Sequence, residues 1–348
     1  MNIDWATMSD WTASIFEAVG LDRQQASQVA ANLEYAERRG FASHGYMRLG
    51  VYVERIKAGG IRCRPEIKVV TDFGAMAVVD SDSAAGAVSA IFCTDLAISK
   101  AAQHGVGVVI ASGANHFGAA GYYTDRMSAA GMAGVASCNT DAVMCAPFGG
   151  RPVLGTNPLS IAVPVAERCG PQLDMATTEA SYGKILLARD RNETLPIGWA
   201  VDEVGNATSD PAAALKGALL PAGGPKGFGL AFMLDCLIAI GGAATSDHVG
   251  ALYGDPAKPQ DLGHLFMAMR VDAVRSAEAY SNAVGDLVKA VQASGTPSGR
   301  TPMAPGEPEM ARLAAADWQA DMATIQMYRT ISLESAVAIP GALDLAHS

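Results

Sequence analysis

Val106-Gly-Val-Val-Ile-Ala111, preceded by the helical run Val88 to His104 and followed by Gly113-Ala-Asn-His116-Phe-Gly118, decides the fold of this chain. Six residues rich in β-branched side chains and bounded by glycine read as a buried strand. A helix from Ala119 to Ala130 and a strand Met132-Ala-Gly-Val-Ala-Ser-Cys138 follow. Strands that alternate with helices imply an α/β layered core. Outward from this stretch, Leu159-Ser-Ile-Ala-Val-Pro164, Gln172-Leu-Asp-Met-Ala176 and His264 to Val271 read as further strands. Upstream, Glu66 to Thr71 and Met76 to Asp80 read as a hairpin closed by Asp72-Phe-Gly-Ala75.

Both ends of the chain are helical in pattern. The first forty residues hold two helices, the second opening on Asp22-Arg-Gln-Gln25, which resembles a capping box. A third runs from an N-cap at Ser43 to a stop at Gly59-Gly60. A late helix spans about Ser276 to Ser294, before the Gly/Pro-rich loop Gly295 to Pro302. The expected architecture is a helical domain from residues 1–70 and 275–348, packed against an α/β domain of residues 71–274, with the active site in the cleft between them.

Composition narrows the function. Charged residues are 17% of the 348, half are apolar, and the formal net charge is −10, which argues against a general polyanion binder and so against nucleic acid. The apolar surplus predicts a homo-oligomer. Six cysteines (Cys63, Cys93, Cys138, Cys145, Cys169, Cys236) show no C-x-x-C pair and no histidine at finger spacing, so neither a metal site nor a disulfide framework is expected. Met1-Asn-Ile-Asp-Trp5 lacks a secretory pattern, and the apolar stretch from Gly227 is short for a span and carries Asp235, so it is expected as a buried core helix. Cytoplasmic residence without membrane contact is the expectation.

Ser43-His44-Gly-Tyr-Met-Arg48-Leu-Gly-Val-Tyr52 carries the chemistry. On a helix His44, Arg48 and Tyr52 stack along one stripe, about 6 Å of rise per step. A guanidinium grips a carboxylate bidentately and an imidazole titrates near neutrality, so the stripe suits a small acid with a carbonyl beside its carboxylate. A solvated helix face is the plainer reading of the same spacing. No G-x-G-x-x-G follows a strand and no P-loop is present. Gly223-Gly-Pro-Lys226-Gly-Phe-Gly229 instead offers bare amides and a lysine at a helix N-terminus, a site for phosphate or simply a tight solvated loop. His116 stands between a strand and a helix, where α/β ligand sites form, although a buried, satisfied histidine would look the same.

The stripe, Asn115-His116-Phe-Gly, Asn139-Thr140, Ala146-Pro-Phe-Gly-Gly150, Leu154-Gly-Thr-Asn-Pro158, Asp174-Met-Ala-Thr177, Gly183-Lys184, Gly198-Trp-Ala-Val-Asp202, Asp210-Pro and Lys226-Gly-Phe-Gly-Leu, in this order, resemble the malate/L-lactate dehydrogenase type 2 family over roughly residues 20 to 310. The resemblance implies an NAD- or NADP-dependent oxidoreductase with a non-Rossmann cofactor fold and mixed sheet, forming homodimers and acting on 2-oxo or 2-hydroxy carboxylic acids. Some members reduce cyclic imino acids such as piperideine-2-carboxylate. It further implies His44 or His116 as the proton-transferring residue, and Ser43, Arg48 and Tyr52 as the substrate pocket; from residue type alone, Asp174 is expected to orient His44. Cofactor contacts implied are Thr140, Asp174, Met175, Ala176, Thr177, Lys226 and the loop Gly306, Glu307, Pro308. Two stretches depart from the family pattern: Asp141-Ala-Val-Met-Cys145, where many members carry Ser or Thr followed by Pro, and the region after Glu309.

Overall fold

The computed structural model describes residues 2–147, 149–165, 170–296, 299–315, 317–319 and 322–341. Cys169, Phe148 of the Ala146–Gly150 motif and Pro297-Ser298 of the Gly/Pro-rich loop lie outside the described residues. Asn2–Asp4 (β1) leads into Trp5–Ala18 (α1), whose first turn is closed by the Asp4 carboxylate accepting from the Thr7 N–H at 2.9 Å. Asp22 caps Arg23–Arg38 (α2) in the same way through Gln25 N–H. Leu49–Ala58 (α3) stops at left-handed Gly59. Lys68–Phe73 (β2) and Met76–Asp80 (β3) form the expected hairpin, with Gly74-Ala75 as its turn.

Gly86–His104 (α4), Val106–Ala114 (β4), Gly121–Ala129 (α5) and Met132–Cys138 (β5) realise the alternating stretch. Next come Met144–Cys145 (β6), Pro152–Leu154 (β7), Leu159–Ala162 (β8), Gln172–Met175 (β9), Tyr182–Asp190 (α6), Ala200–Val201 (β10), Pro211–Lys216 (α7), Ala218–Leu219 (β11) and Pro225–Ala239 (α8). Leu262–Arg270 (β12), Ala277–Ala293 (α9), Glu307–Arg312 (α10), Asp317–Gln319 (β13) and Met322–Ser335 (α11) complete the order.

The main sheet runs β2-β3-β4-β12-β5-β8-β9. Only β3 and β4 pair in parallel, joined by the α4 crossover; every other neighbouring pair is antiparallel. The sheet is therefore mixed, unlike the parallel order of a doubly wound dinucleotide fold. At its centre Phe266 on β12 lies opposite Val109 on one side and Ala136 on the other, all three fully buried. A second sheet, β10-β11-β6-β7, packs with α6 and α7 around Ile185, Ala200 and Leu219. Its strands of two or three residues are too short to show alternation, so sequence pattern does not reveal them. The two ends of the chain meet: β1 pairs with β13, setting Ile3 opposite Trp318, and Trp11 packs on Tyr328 with ring centroids 5.2 Å apart.

Two expectations need correction. The stripe does not ride on one helix: Ala42–His44 and Tyr46–Arg48 are separate single turns around Gly45, and α3 begins only at Leu49. Ser43 consequently caps nothing. The apolar helix α8 is not wholly buried either. Ala231, Leu234, Asp235 and Ile238 face inward, while Phe232 (50% exposed), Met233, Leu237 and Ile240 stand on the surface of the single chain. Among the described residues no helix is long and apolar enough to cross a membrane.

Candidate active site

The break at Gly45 aims the signature side chains. A Cβ at Gly45 would lie 1.8 Å from Glu37 Oε2, and that carboxylate accepts the Tyr46 N–H at 3.1 Å, so the backbone must pass directly against α2. The turn then brings the Ser43 hydroxyl to His44 Nδ1 at 3.0 Å, and Ser181 Oγ donates to Ser43 Oγ at 3.3 Å. Arg48 is 4% exposed; its Nε donates to the Ser43 carbonyl at 2.7 Å and its Nη1 to the Tyr253 hydroxyl. No carboxylate among the described residues forms an ion pair with it. Gly183 permits this crowding, because a Cβ there would sit 2.7 Å from Ser43 Cβ.

His116 comes from the loop after β4, fixed from several sides. Asn115 Nδ2 donates to the carbonyls of Ser83 and Ala84, both at 3.0 Å; Gln260 Oε1 accepts the His116 N–H at 2.9 Å; and buried His264 Nε2 donates to the Asn115 carbonyl at 3.1 Å. The Tyr52 hydroxyl meets His116 Nδ1 at 2.6 Å, and the Gly118 N–H donates to the same nitrogen at 3.3 Å. The His44 and His116 rings stack, centroids 5.7 Å apart and 18° from parallel. Two segments separated by some seventy residues of sequence thus converge on one wall, and Tyr52 reaches that wall through His116.

The tautomers follow from the partners. A backbone N–H can only donate, so His116 Nδ1 is an acceptor and the neutral ring carries its proton on Nε2. His44 Nδ1 faces a hydroxyl, which takes either role, so its ring can present an unprotonated Nε2. Both rings are neutral in the free protein. Burial, then the Arg48 and Lys184 cations, bring His44 down to about 3. Burial, then Arg48, His44 and His264, hold His116 well below the ordinary histidine range. Burial also lifts Asp174 to about 7, against the Gly121 N–H that its Oδ2 accepts at 2.8 Å.

Three cavities lie in series along this wall. The first, about 200 Å³, is lined by His44, Arg48, His116, Thr140, Asp141 and Tyr253, among others. It shares His44, Thr156 and Ser181 with a second of about 320 Å³, whose lining includes Ser43, Asp174, Met175, Ala176 and Lys184. That one shares Phe41 and Asp174 with a third of about 290 Å³, walled by Gly306, Pro308 and Glu309. The residues fit a nicotinamide dinucleotide by the chemistry of their donors. Lys184 offers a cation for a diphosphate, Asp174 and Glu309 offer carboxylates for ribose hydroxyls, and left-handed Gly306 leaves the third wall open.

Most of the residues singled out by sequence therefore meet in one trough, and a few do not line it. Asp174 lines two cavities, but the hydrogen bond it accepts comes from Gly121, while His44 is held by Ser43. Thr177 is buried, its hydroxyl donating to the Thr156 carbonyl at 2.7 Å. Glu307 turns back on its own loop, accepting from Ala304 N–H and Gln292 Nε2, each at 2.6 Å. Lys226 is exposed in the first turn of α8, outside the lining of all three cavities, whereas Ala222 just before it lines the second. Sequence reading missed Ser181, Lys184 and Tyr253. Lys184 belongs to the Gly183-Lys184 motif and Ser181 lies two residues before it, so both could have been found from it; Tyr253 lies in a loop with no pattern of its own.

The malate/L-lactate dehydrogenase family profile matches residues 3–320. The chain is 39% identical over 299 residues to the L-sulfolactate dehydrogenase of Methanocaldococcus jannaschii, covering 85% of each protein. It is 38% identical over 276 residues to the NAD(+) ureidoglycolate dehydrogenase of Escherichia coli O157:H7, covering 79% of this chain and 78% of that one. The crystal structure of malate dehydrogenase from Entamoeba histolytica superposes with a TM-score of 0.92 at 27% identity, covering 98% of this chain and 99% of the other. A mixed α/β scaffold with a histidine-arginine cleft defines the class, a dehydrogenase that uses NAD or NADP. The chain belongs to the malate/L-lactate dehydrogenase family.

Proposed function

We propose that this protein interconverts a small 2-hydroxy carboxylic acid and its 2-oxo acid, with Arg48 holding the carboxylate, His44 moving the hydroxyl proton and His116 donating a hydrogen bond to the reacting oxygen. NAD or NADP supplies or accepts the hydride when bound, held by Met175, Ala176, Lys184 and the Gly306–Glu309 loop. The observation that carries the reading is the buried guanidinium of Arg48, without a carboxylate partner among the described residues, in the same 200 Å³ cavity as two neutral imidazoles. Arg48 Nη2 remains for the substrate carboxylate once Nε and Nη1 have bonded Ser43 and Tyr253.

In the oxidising direction His44 Nε2 takes the hydroxyl proton while its Nδ1–H leans on Ser43 Oγ. The imidazolium would be costly in a free site beside Arg48 and Lys184. A substrate carboxylate on Arg48 offsets that cation and makes the proton transfer easier once substrate is bound. His116 keeps its Nε2 proton because Gly118 and Tyr52 occupy Nδ1, and so stabilises the oxygen in either direction. Residues 1–70 with 275–348, and 71–274, serve in this reading as the two sides of the cleft. A second copy covering the bare face of α8 makes the working form a homodimer.

An initial-rate screen of pyruvate, oxaloacetate and piperideine-2-carboxylate against NADH and NADPH tests the reading. Turnover of at least one 2-oxo acid is expected, and His44→Gln lowers its kcat by ~10²–10⁴-fold. Near-full turnover in His44→Gln together with its loss in His116→Gln would reverse the two roles. Reduction of the cyclic imine alone would replace the oxo-acid assignment.

A further inference from the structure

Resting on the functional reading above, we infer that Asp141 sets the substrate class: a 2-oxo or 2-hydroxy acid whose far end carries a hydrogen-bond donor, such as an amide, ureido or ammonium group, and not a second anion. Asp141 lines the same 200 Å³ cavity as Arg48, His44 and His116. It follows Thr140 directly, and the Thr140 N–H is pinned by Asn157 Oδ1 at 3.0 Å, so the acid cannot swing away without disturbing the cavity wall. Burial raises its carboxyl above the ordinary aspartate range, and the nearby backbone N–H groups of Asp141 itself and of Leu252 ease that rise. No lysine, arginine or histidine among the described residues makes an ion pair with it; Arg48 and Arg55 act on it only at longer range.

The cavity thus has opposite requirements at two places. Arg48, a buried cation without a carboxylate partner among the described residues, calls for an anion. Asp141, mostly buried and without a side-chain hydrogen-bond or ion-pair partner among the described residues, calls for a donor. A substrate with one carboxylate and one N–H-bearing group satisfies both. A dicarboxylate or a sulfonated acid would set its second anion against the Asp141 carboxylate in a confined, poorly solvated space, and like charges there disfavour binding. The rest of the lining includes Leu252, Val143 and the rings of Tyr182 and Tyr253, whose centroids lie 6.4 Å apart. These suit a flat, uncharged group better than a tetrahedral anion.

An isosteric pair provides the test: oxaloacetate and its 4-amide, 2-oxosuccinamate, which differ only in an anion against an amide at the far end. Their kcat/KM values are compared in the wild-type protein and in Asp141→Asn, with Kd measured for malate and its 4-amide by calorimetry. The wild type is expected to favour the amide by on the order of 100-fold in both measurements, and Asp141→Asn to bring the ratio to within a few-fold. A wild-type ratio near or below unity overturns the inference without any variant, and an unchanged ratio in a folded Asp141→Asn removes it from Asp141. Pyruvate, which has no far-end group, separates the two levels. If no 2-oxo acid is turned over, the functional reading fails, while the calorimetric ratio still decides the inference.

Discussion

At the scale of single residues, burial keeps His44 and His116 uncharged and raises the Asp174 carboxyl. Asp174 illustrates the consequence for stability. Its proton is held up to about pH 7 in the folded protein, whereas the unfolded chain releases it near 3.8. The stability it contributes is therefore fully present below 3.8 and is lost as pH rises through 7, by on the order of 4 kcal/mol at most. Asp174→Asn, which keeps an acceptor for Gly121 N–H, is expected to raise the melting temperature at pH 8 by several degrees and to change it little at pH 4. Equal effects at both pH values would show that Asp174 ionises freely. The histidines act on the acid side. With His44 and His264 down near 3, the unfolded state binds the extra protons, so the stability that these rings contribute is present above 6.5 and declines as pH falls from 6.5 towards 3.

At the scale of elements, the signature segment is the instructive part. Sequence spacing placed His44, Arg48 and Tyr52 together, and the structure does bring them to one wall, but by a broken path. A four-residue spacing is compatible with a helix, and only the proximity of Glu37 on α2 reveals why Gly45 interrupts it. That proximity is tertiary and leaves no periodic mark. The long elements α2, α4, β4, α5 and β5 were legible because their periodicity is sustained and their ends carry caps or glycine. The short strands of the second sheet were not, nor was the bare face of α8, whose residues are apolar all round. Gly45→Ala should therefore be costly, since Glu37 must leave both the Tyr46 N–H and its present position. A loss of roughly 2–4 kcal/mol in urea unfolding is expected, with kcat/KM falling as His44 shifts; a loss under about 0.5 kcal/mol would mean the turn is tolerant.

At the scale of the whole molecule, the cleft is assembled from distant parts of the chain: residues 43–52, 115–116, 140–141, 174–184 and the loop at 251–254. The chemistry of the candidate residues was legible in the sequence, but their mutual distances were not, and Tyr253 entered only because a loop two hundred residues away packs on Arg48. The outer surface carries an equally informative feature. Phe232, Met233, Leu237 and Ile240 on α8, with Val70 and Phe73 on the edge strand β2, are apolar and uncovered in the single chain. If a second copy covers α8, Phe232→Glu should weaken self-association by at least tenfold in sedimentation analysis; an unchanged dimer would place the interface elsewhere, and a monomeric wild type would remove it.

The central claim is that Arg48 and His44 present carbon 2 of a carboxylic acid for hydride transfer. Its most direct measurement is isotopic: the protein is incubated with a 2-oxo acid and reduced cofactor carrying deuterium at the transferable position, and the product is analysed by mass spectrometry and proton NMR. The account predicts one deuterium at carbon 2 of the 2-hydroxy acid, and a fall of about 10³-fold in its rate of appearance in Arg48→Leu. Deuterium absent from carbon 2, or a rate in Arg48→Leu within a few-fold of wild type, would contradict it.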